Sequence, residues 1–416
     1  MNILVSAYAC DPTRGGEFGN GWKYASNLQN DYSIWCLTTS EGKEGIEKNL
    51  EKLPPGQRSR LHIVYVDTYA WLLKWKEKST MIGLYFHYTA WQYIAFRKAK
   101  KLTRQIDFDL VHHATYASLQ QGSFLWKLKK HMIFGPVGGG QRSPKIFKKY
   151  FYTWWALEKV RDWIGYFFLN IWKIGAKNLK KADLVLVNND DTYDLAKRYG
   201  AKNVSYAPCV TLADDFGPGV IPVRARKETF RLLWVGRIIP RKGLRVVLEA
   251  FAQLDPHLPI ELTIIGDGVL GSRVPGWLKE LGIEQRVNWL GKRPLTEVRE
   301  AYASHDAFIF CSLRESLAAQ FIEAMSFGLP MIILNLHGAK TFIPADCAIK
   351  IDVTTLENTL SAIKDAMQEL YSNETLRNEL GQHSFMYAKK FTWHEKSKII
   401  NRYYRQLAEG NQVGHQ

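Results

Sequence analysis

Two glutamates spaced eight residues apart give the sequence its first chemical signal. Glu315 and Glu323 bracket the run ESLAAQFIE, which follows the apolar segment 308–311. This order predicts a strand, a loop that carries Glu315, and a helix that carries Glu323 about two turns along. A helix N-terminus presents free N–H groups and the positive end of its dipole, so both carboxylates could reach a phosphorylated ligand bound there. The structural alternative is one carboxylate at the start of a helix and a second one in solvent.

An arginine and a lysine five residues apart lie in the turn that joins the first strand of the second half to its first helix. The run GRIIPRKG places Gly236, Arg237, Lys242 and Gly243 in this turn. Open α/β sheets bind their ligands beyond the carboxyl ends of the strands, where such a turn lies. Arginine can hold phosphate oxygens through two parallel hydrogen bonds, while lysine acts as a compact charge. The pair indicates phosphate binding, and a solvated basic turn is the alternative.

A third candidate is the glycine-rich turn after the first apolar run. Gly15 and Gly16 lie in the stretch DPTRGGEFGNGW, where glycines allow backbone amides to approach a ligand closely. The spacing Gly16-x-x-Gly19-x-Gly21 reverses that of the dinucleotide fingerprint, and no acidic residue closes the next strand. The turn therefore argues against an NAD-dependent enzyme.

Short apolar runs alternate with longer helical stretches along the whole chain. In the first half the predicted strands cover 3–7, 33–37, 61–66, 110–112, 132–134 and 184–187. In the second half they cover 231–236, 261–265, 287–290, 307–311 and 330–334. The clearest predicted helices of the whole chain cover 22–29, 88–102 and 244–254. This alternation is typical of βαβ units on parallel sheets. It predicts an α/β fold with two doubly wound, Rossmann-like domains.

Length and composition agree with two globular domains. A chain of 416 residues exceeds what one hydrophobic core usually holds, and 46% apolar with 23% charged residues is a globular composition. Proline, glycine and aspartate cluster without periodicity in 208–222, which indicates a linker. We therefore expect one domain over residues 1–215 and a second over 216–390.

The cysteines, the acidic motifs and the apolar runs of the sequence predict where the protein is located and whether it binds a metal. The five cysteines are scattered without metal-ligand spacing, as in reduced cytoplasmic proteins, and no Asp-x-Asp follows a predicted strand. The chain opens without a basic and then apolar leader, and it has no run of about 18 apolar residues. We expect a cytoplasmic protein without a bound metal or other cofactor.

The positive charge is concentrated in the first half of the chain. Of the net charge of +16, residues 1–215 carry +12, from 31 basic and 19 acidic residues. In 71–101 and 143–181, tryptophans and other aromatic residues are interleaved with lysines and arginines. Charge alone would fit nucleic acid, phospholipid or a polyanionic substrate. The aromatic residues favour an anionic membrane surface over buried rings with solvated bases, and no nucleic-acid-binding module accompanies them.

Taken together, these motifs resemble glycosyltransferase family 4, the large retaining branch of the GT-B superfamily. The resemblance extends over nearly the whole chain and is best in 231–337, where Gly-Arg-x4-Lys-Gly, Ile-Gly-Asp-Gly, Leu-Gly and Glu-x7-Glu occur in the family's order. Residues 6–12 and 135–140 are similar to one bacterial subgroup. The resemblance implies two domains that face a central cleft containing the active site, and a C-terminal helix in 391–416 that crosses back to the first domain.

The resemblance also implies a role for each matching residue. Arg237 and Lys242 would hold the donor diphosphate and stabilise the leaving group, while Glu315 would lie near the transferred sugar and Glu323 would bind the nucleotide ribose. The remaining implied donor contacts are Gly15, Gly16, Gly236, Gly266, Lys292 and Arg293, together with the backbone amides of Ser316, Leu317, Ala318 and Ala319.

Two departures from the family pattern affect these roles. Ser316-Leu317-Ala318-Ala319 stands where members commonly carry glycine and proline, so the loop is bulkier. The family's histidine after the strand at 132–134 is replaced by a glycine-rich segment. His112, His113 and Gly138 are further candidates for the missing sugar contact.

The function implied is transfer of a sugar, with retention of configuration, from a nucleoside-diphosphate sugar to a lipid-linked or polysaccharide acceptor. We expect a role in bacterial surface polysaccharide synthesis, at the inner face of the plasma membrane, with no nucleic-acid partner. The alternatives are a soluble transferase that makes a small glycoside and a nucleotide-sugar-binding protein that has lost catalysis. The presence of Arg237, Lys242, Glu315 and Glu323 argues against a silent protein.

Overall fold

Apolar runs of three to seven residues, bounded by polar turns, form the strands of two parallel sheets. The computed structural model describes residues 1–27, 32–78, 82–213, 215–223 and 228–410. The chain divides into two units: unit 1 comprises Met1–Gly140, Arg161–Val210 and Ser397–Gln416, and unit 2 comprises Gln141–Val160 and Thr211–Lys396. Each unit contains one of the sheets.

The sheet of unit 1 has seven parallel strands among the described residues, in the order β3-β2-β1-β4-β5-β6-β7. The strands are β1 Asn2–Ala7, β2 Ser33–Thr38, β3 Leu61–Tyr65, β4 Leu110–Thr115, β5 His131–Val137, β6 Leu184–Val187 and β7 Val204–Tyr206. The helices between them are α1 Gly16–Ala25, α2 Lys43–Leu50, α3 Pro55–Arg58, α4 Ala70–Lys78, α5 Ile82–Leu102, α6 Trp154–Tyr166, α7 Ile174–Lys181 and α8 Asp190–Arg198. Helix α6 begins in the part of the chain that belongs to unit 2 and ends in unit 1.

The sheet of unit 2 has six parallel strands among the described residues, in the order β10-β9-β8-β11-β12-β13. The strands are β8 Phe230–Val235, β9 Ile260–Ile265, β10 Val287–Trp289, β11 Ala307–Phe310, β12 Met331–Leu334 and β13 Ala348–Ile351. The helices are α9 Leu244–Phe251, α10 Val274–Leu281, α11 Leu295–Ser304, α12 Ala319–Ser326, α13 His337–Phe342, α14 Leu356–Ser372 and α15 Glu374–Ala388. The last helix, α16 Trp393–Ala408, begins in unit 2 and ends in unit 1.

Both strand orders reverse direction next to the first strand of the unit, as in doubly wound Rossmann-like folds. The reversal lies between β1 and β4 in unit 1 and between β8 and β11 in unit 2. The predicted α/β class with two Rossmann-like domains is therefore confirmed. The carboxyl ends of β8 and β11 are the place where the topology predicts a ligand site in unit 2.

The C-terminal helix α16 packs on unit 1. Ser397–Gln416 belongs to that unit, and its helix α16 contacts two separate elements there. Asn27 Nδ2 donates to Asn401 Oδ1 at 3.0 Å, and the hydroxyl of Tyr404 lies 2.6 Å from His112 Nδ1. The last helix thus joins unit 1 after the chain has completed unit 2.

One segment lies in a different unit from the one that its sequence position suggests. Gln141–Val160 falls within the predicted first domain, but it packs on unit 2. Its aromatic residues Phe147, Tyr150 and Phe151 are buried, and Lys149 Nζ lies 3.0 Å from Glu249 Oε2. Composition alone gave no indication that this segment changes units.

Helix α1 differs from its predicted bounds. It begins at Gly16 instead of Trp22, so the glycines at 19 and 21 lie in the helix and not in a ligand-binding turn. At Gly21 any β-carbon would clash with the carbonyl oxygen of Ala9, so glycine there permits close packing of helix on strand. The predicted end of this helix, at 28–29, lies outside the described residues. Strands β7 and β13 were not predicted.

None of the described helices combines the length and the apolar character needed to cross a bilayer.

Candidate functional site

The loops that follow β8 and β11 meet at the reversal of strand order in unit 2. Leu313 N donates to the carbonyl oxygen of Arg241 at 2.8 Å, and Ser312 Oγ donates to the same oxygen at 3.0 Å. Gly243 has a φ of +70°, and a β-carbon there would clash with the carbonyl oxygen of Cys311. Only glycine satisfies both conditions. The two strongest sequence motifs therefore form one site.

A single carboxylate joins the two loops. Glu315 Oε2 accepts a hydrogen bond from Lys242 Nζ and another from Arg241 Nη1, the latter at 2.7 Å. The side chain of Lys242 is only 7% exposed, and its Nζ lies 5.1 Å from the centre of the Phe310 ring. Arg241 was not among the predicted site residues, although it lies directly before Lys242 in the sequence.

Burial and charge act in opposite directions on this ion pair. Burial lowers the pKa of Lys242, and the nearby Arg241 and Arg237 lower it further, while Glu315 raises it. Burial alone would raise the pKa of Glu315, but Lys242 and Arg241 outweigh burial and hold that pKa below its usual range. Glu315 is thus a carboxylate at neutral pH and is bound by two cations, while Arg237 adds a third positive charge that acts on Lys242. Such an excess of positive charge favours an anionic ligand.

The second glutamate of the motif lies on α12, as predicted. Tyr302, whose side chain is fully buried, donates its hydroxyl hydrogen to Glu323 Oε2 at 2.9 Å. Burial raises the pKa of Glu323, and the hydrogen bond from Tyr302 and the charge of Lys242 offset this only in part. Tyr302 was missed because it lies 21 residues from Glu323 without a local signal.

The loop between Glu315 and α12 is held from a distant part of the sequence. Gln141 Nε2 donates to Ser316 Oγ at 2.7 Å. Arg314 Nη2 donates to Glu158 Oε1 at 2.9 Å, and Arg314 Nε lies 2.8 Å from Glu158 Oε2. The segment 141–160, which belongs to unit 2, therefore fixes the residues on both sides of Glu315.

Helix α12 begins where the motif predicted a helix N-terminus. Its N-cap, Ala318, has an extended backbone and forms no side-chain capping hydrogen bond. The backbone amides in the first turn of α12, which begins at Ala319, thus donate no hydrogen bond to the N-cap side chain. This arrangement is compatible with the predicted binding of phosphate by backbone amides near Ser316–Ala319.

The loops after β9 and β10 lie at the same edge of the sheet. Gly236 N donates to Ile265 O at 3.0 Å, and Gly266 N donates to Gly291 O at 2.8 Å. Gly266 has a φ of +139°, and a β-carbon there would clash with the carbonyl oxygen of Gly236. The structure thus connects Gly236, Gly266 and the start of the loop that contains Lys292 and Arg293.

Arg237, Lys292 and Arg293 have exposed side chains at this edge. Arg293 Nη1 lies 3.5 Å from Glu297 Oε2, and its Nε donates to Leu290 O at 3.0 Å. The structure brings these residues to one edge but does not test their predicted contacts. Gly15 and Gly16 lie at the start of α1 in unit 1, and their predicted donor contact also stays a prediction.

The two candidate histidines are wrong as ligand contacts. His112 is fully buried, with Nδ1 at 2.6 Å from the Tyr404 hydroxyl and Nε2 at 2.7 Å from the carbonyl oxygen of Gly135. His113 is also fully buried, with Nε2 at 3.2 Å from the Tyr88 hydroxyl, and burial lowers its pKa to about 3. The ring of His113 is therefore neutral at pH 7, and both rings are enclosed in the interior of unit 1.

Gly138 is also buried in unit 1, and its predicted sugar contact stays a prediction. Its amide donates to Ala117 O at 3.0 Å, and its carbonyl oxygen accepts from Leu119 N at 3.0 Å. Both backbone groups are thus used inside unit 1.

Among the described residues, no group of three or more histidine, cysteine, aspartate or glutamate side chains is arranged so that it could hold a metal ion. Whether the chain acts without a metal stays a prediction.

Residues 222–385 match the family model described as glycosyl transferases group 1. A D-inositol 3-phosphate glycosyltransferase of Corynebacterium jeikeium is 28% identical over 252 residues, which cover 56% of this chain and 59% of the relative. The chain thus matches less than two thirds of that relative's length.

Two solved structures have a similar fold. Sucrose-phosphate synthase of Thermosynechococcus elongatus has a TM-score of 0.65 at 18% identity, with 99% of this chain and 100% of that chain covered. The Anabaena protein HepE in complex with UDP has a TM-score of 0.62 at 14% identity, with 98% and 100% covered. At these identities the similarity shows the fold alone.

The ion pair between Glu158 and Arg314 makes a testable contribution to the stability of unit 2. Both side chains are only 15% exposed, so Glu158→Gln is expected to lower the free energy of unfolding by about 2–3 kcal/mol, less than the ~3–5 kcal/mol of a fully buried pair. The measurement is urea denaturation. Glu47→Gln is the matched control, because its partner Lys43 is 3.6 Å away and both side chains are more than half exposed; it should cost less than about 1 kcal/mol.

A double variant tests whether the effect comes from the pair itself. Glu158→Gln combined with Arg314→Gln should cost less than the sum of the two single changes, because the partners interact directly. Strictly additive losses would contradict a coupled ion pair at this position.

Proposed function

We propose, on the premise that the chain belongs to the group 1 glycosyl transferases, that it transfers a sugar from a nucleoside diphosphate to an acceptor. In this proposal unit 2 binds the donor at the carboxyl edge of its sheet. The observation that carries the proposal is the joining of Arg241, Lys242 and Glu315 at the reversal of strand order, beside the N-terminus of α12.

The diphosphate is the part of the donor that this site is best suited to bind. Arg237, Arg241 and Lys242 supply three positive charges against the one carboxylate of Glu315. When the bond between the sugar and the β-phosphate oxygen breaks, negative charge develops on that oxygen. A buried cation that is already in position stabilises this charge without reorganisation of water. We assign this role to Lys242, with Arg237 on the outer side of the diphosphate.

The two glutamates are suited to bind the hydroxyl groups of the donor. Glu315 stays ionised and is held by two cations, so it can accept hydrogen bonds from the transferred sugar. Glu323 is partly desolvated and oriented by Tyr302, which suits an acceptor for ribose hydroxyls. Lys292 and Arg293 would lie by the nucleobase, at the end of β10.

The proposal also covers the stereochemistry of transfer and the identity of the acceptor. Retention of configuration is proposed from the resemblance to glycosyltransferase family 4. The acceptor is proposed to be a lipid-linked or polysaccharide glycan at the inner face of the bacterial plasma membrane. Because the Corynebacterium relative is named for D-inositol 3-phosphate, that compound belongs in the first acceptor screen, together with lipid-linked saccharides and small soluble acceptors.

The test of donor chemistry is the variant Lys242→Ala. We expect kcat/KM for transfer or donor hydrolysis to fall about 10²-fold or more, because a preorganised donor to developing charge is worth roughly 3 kcal/mol. The matched control is Lys279→Ala, which removes an exposed lysine from α10 of the same unit. Near-normal turnover by a folded Lys242→Ala variant would remove this lysine from the mechanism. If neither the wild type nor the variants hydrolyse any donor, a nucleotide-sugar-binding protein without catalysis would be favoured.

Metal independence is a separate prediction. Activity should survive EDTA, because the cations around Glu315 and the amides that begin α12 can neutralise the diphosphate. The measurement is initial rate with EDTA and with added Mg²⁺. Loss of turnover on chelation, followed by recovery with a divalent ion, would contradict it.

A further inference from the structure

A connected row of exposed and half-buried aromatic side chains lies on unit 1. Ring centroids are 5.2 Å apart for Trp75 and Phe86, and 6.1 Å apart for Phe86 and Trp172. The row continues through Phe167, whose ring centre lies 5.8 Å from that of Trp172 and 6.0 Å from that of Trp163. It therefore joins α4, α5 and the end of α6, which are far apart in sequence.

We call this surface the aromatic patch and define it by six exposed residues: Trp71, Trp75, Phe86, Trp163, Ile171 and Trp172. Trp71 and Trp163 are each 64% exposed, whereas Trp91, on the same helix as Phe86, is fully buried. Trp71 lies one helical turn before Trp75 and thus on the same face of α4. Contiguous exposed apolar surface of this kind marks an interaction site.

Exposed lysines lie among these rings. Lys74 and Lys78 are exposed on α4, and Lys173 directly follows Trp172. Residues 70–101 contain seven basic residues against one acidic residue, and 161–181 contain five against one. Tryptophan beside lysine is the composition that binds the headgroup region of an anionic bilayer, where rings insert and bases meet lipid phosphate. The charge thus selects an anionic membrane over an uncharged apolar partner.

Helix α4 also contributes to a polar cluster at the carboxyl edge of the first sheet. Lys76 Nζ lies 3.3 Å from Glu41 Oε2 and 5.8 Å from the centre of the Tyr8 ring. Arg14 Nη1 lies 2.8 Å from Glu41 Oε1, and the Tyr8 hydroxyl lies 2.9 Å from His87 Nδ1. We call these five residues the polar cluster. They follow β1 and β2 or lie on α4 and α5, near the point where open α/β sheets bind ligands.

Three side chains of the polar cluster, Arg14, Glu41 and Lys76, are partly exposed and are suited to hydrogen bonding with a polar head group. Tyr8 and His87 are buried and bonded to each other beneath them. Burial lowers the pKa of His87 to about 4, with a further contribution from Lys76, so its ring is neutral at pH 7. Burial alone would raise the pKa of Glu41, but Arg14 and Lys76 outweigh it and keep this side chain ionised. Helix α4 therefore connects an apolar, basic surface with a set of fixed polar groups.

We propose that the aromatic patch docks unit 1 on an anionic bilayer and that α4 thereby places the polar cluster where the head group of a membrane-anchored acceptor emerges. The docking part stands on the exposed rings and lysines alone. The acceptor part rests on the proposed function and narrows the acceptor class to lipid-linked molecules.

The docking test is co-sedimentation of the full chain with vesicles of phosphatidylcholine and phosphatidylglycerol, against phosphatidylcholine alone. Wild type should bind the anionic vesicles, and less so at high salt, because the field of the lipid extends only over a Debye length of about 8 Å at physiological ionic strength. Trp71→Ser with Trp163→Ser should lower the bound-to-free ratio by roughly tenfold or more, since both inserted rings are lost.

The matched control is Leu295→Ser with Met386→Ser, which alters two residues of unit 2 that are 58% and 61% exposed. This control should sediment like wild type, and circular dichroism should show all variants folded. Wild type that stays in the supernatant with anionic vesicles at low salt would overturn the docking proposal. Equal vesicle binding by the Trp71→Ser, Trp163→Ser variant would also overturn it. The same holds if the wild type self-associates and this variant is a monomer, because the aromatic patch would then be a contact between copies of the chain.

The acceptor part has its own readout. Lys76→Gln should leave vesicle binding unchanged, because Lys76 is directed at Glu41, and it should lower transfer to a lipid-linked acceptor while donor hydrolysis is retained. Unchanged transfer by this variant would overturn the acceptor role of the polar cluster. Absence of donor hydrolysis in wild type would instead contradict the proposed function and leave the docking result intact.

Discussion

The shared carboxylate of Glu315 is the interaction on which the candidate site depends. A buried lysine is costly unless a partner compensates its charge, and Lys242 has this partner only because the loop after β11 brings Glu315 to it. Arg241 binds the same oxygen and ties the two loops a second time. Loss of the carboxylate would leave two cations in one half-buried place, and their repulsion would separate the loops.

The fold meets this requirement through its backbone and through a distant segment. Gly243 lets the loop after β8 lie against the carbonyl oxygen of Cys311, and this close approach positions the preceding residue, Lys242, beside the loop after β11. Gln141 and Glu158 then bind the residues on either side of Glu315. A segment from the first half of the sequence is thus part of unit 2. An ion-paired, hydrogen-bonded loop of this kind is already in position before a ligand arrives, which lowers the cost of binding.

Local patterns in the sequence were sufficient for the fold and for the motifs, but not for long-range contacts. The apolar runs predicted most strands because buried parallel strands are continuously apolar. The contact between Lys242 and Glu315 spans 73 residues, and only the strand order brings them together. The roles of Tyr302 and Glu158 were missed because nothing in their neighbourhood distinguishes them from ordinary surface or core residues.

Two predictions from the sequence differ from the structure, one based on position at a strand end and one based on composition. His112 lies near the end of a predicted strand, as a ligand-binding residue would, but β4 continues past it and its ring lies within unit 1. The basic and aromatic stretch at 143–181 read as one surface, whereas its first part is packed on unit 2 and only its second part belongs to the aromatic patch. In both cases burial, which a single sequence does not specify residue by residue, decided the outcome.

The central claim is that the cations around Glu315 bind the diphosphate of a nucleotide. Isothermal titration of the full chain with UDP, GDP and ADP, each beside its own nucleoside, tests it most directly. One diphosphate should bind with a stoichiometry of one, and its nucleoside should bind at least about 10²-fold more weakly, because charge-assisted contacts to phosphate are lost. Equal affinity for a diphosphate and its nucleoside, or no binding of any of the three, would contradict the account.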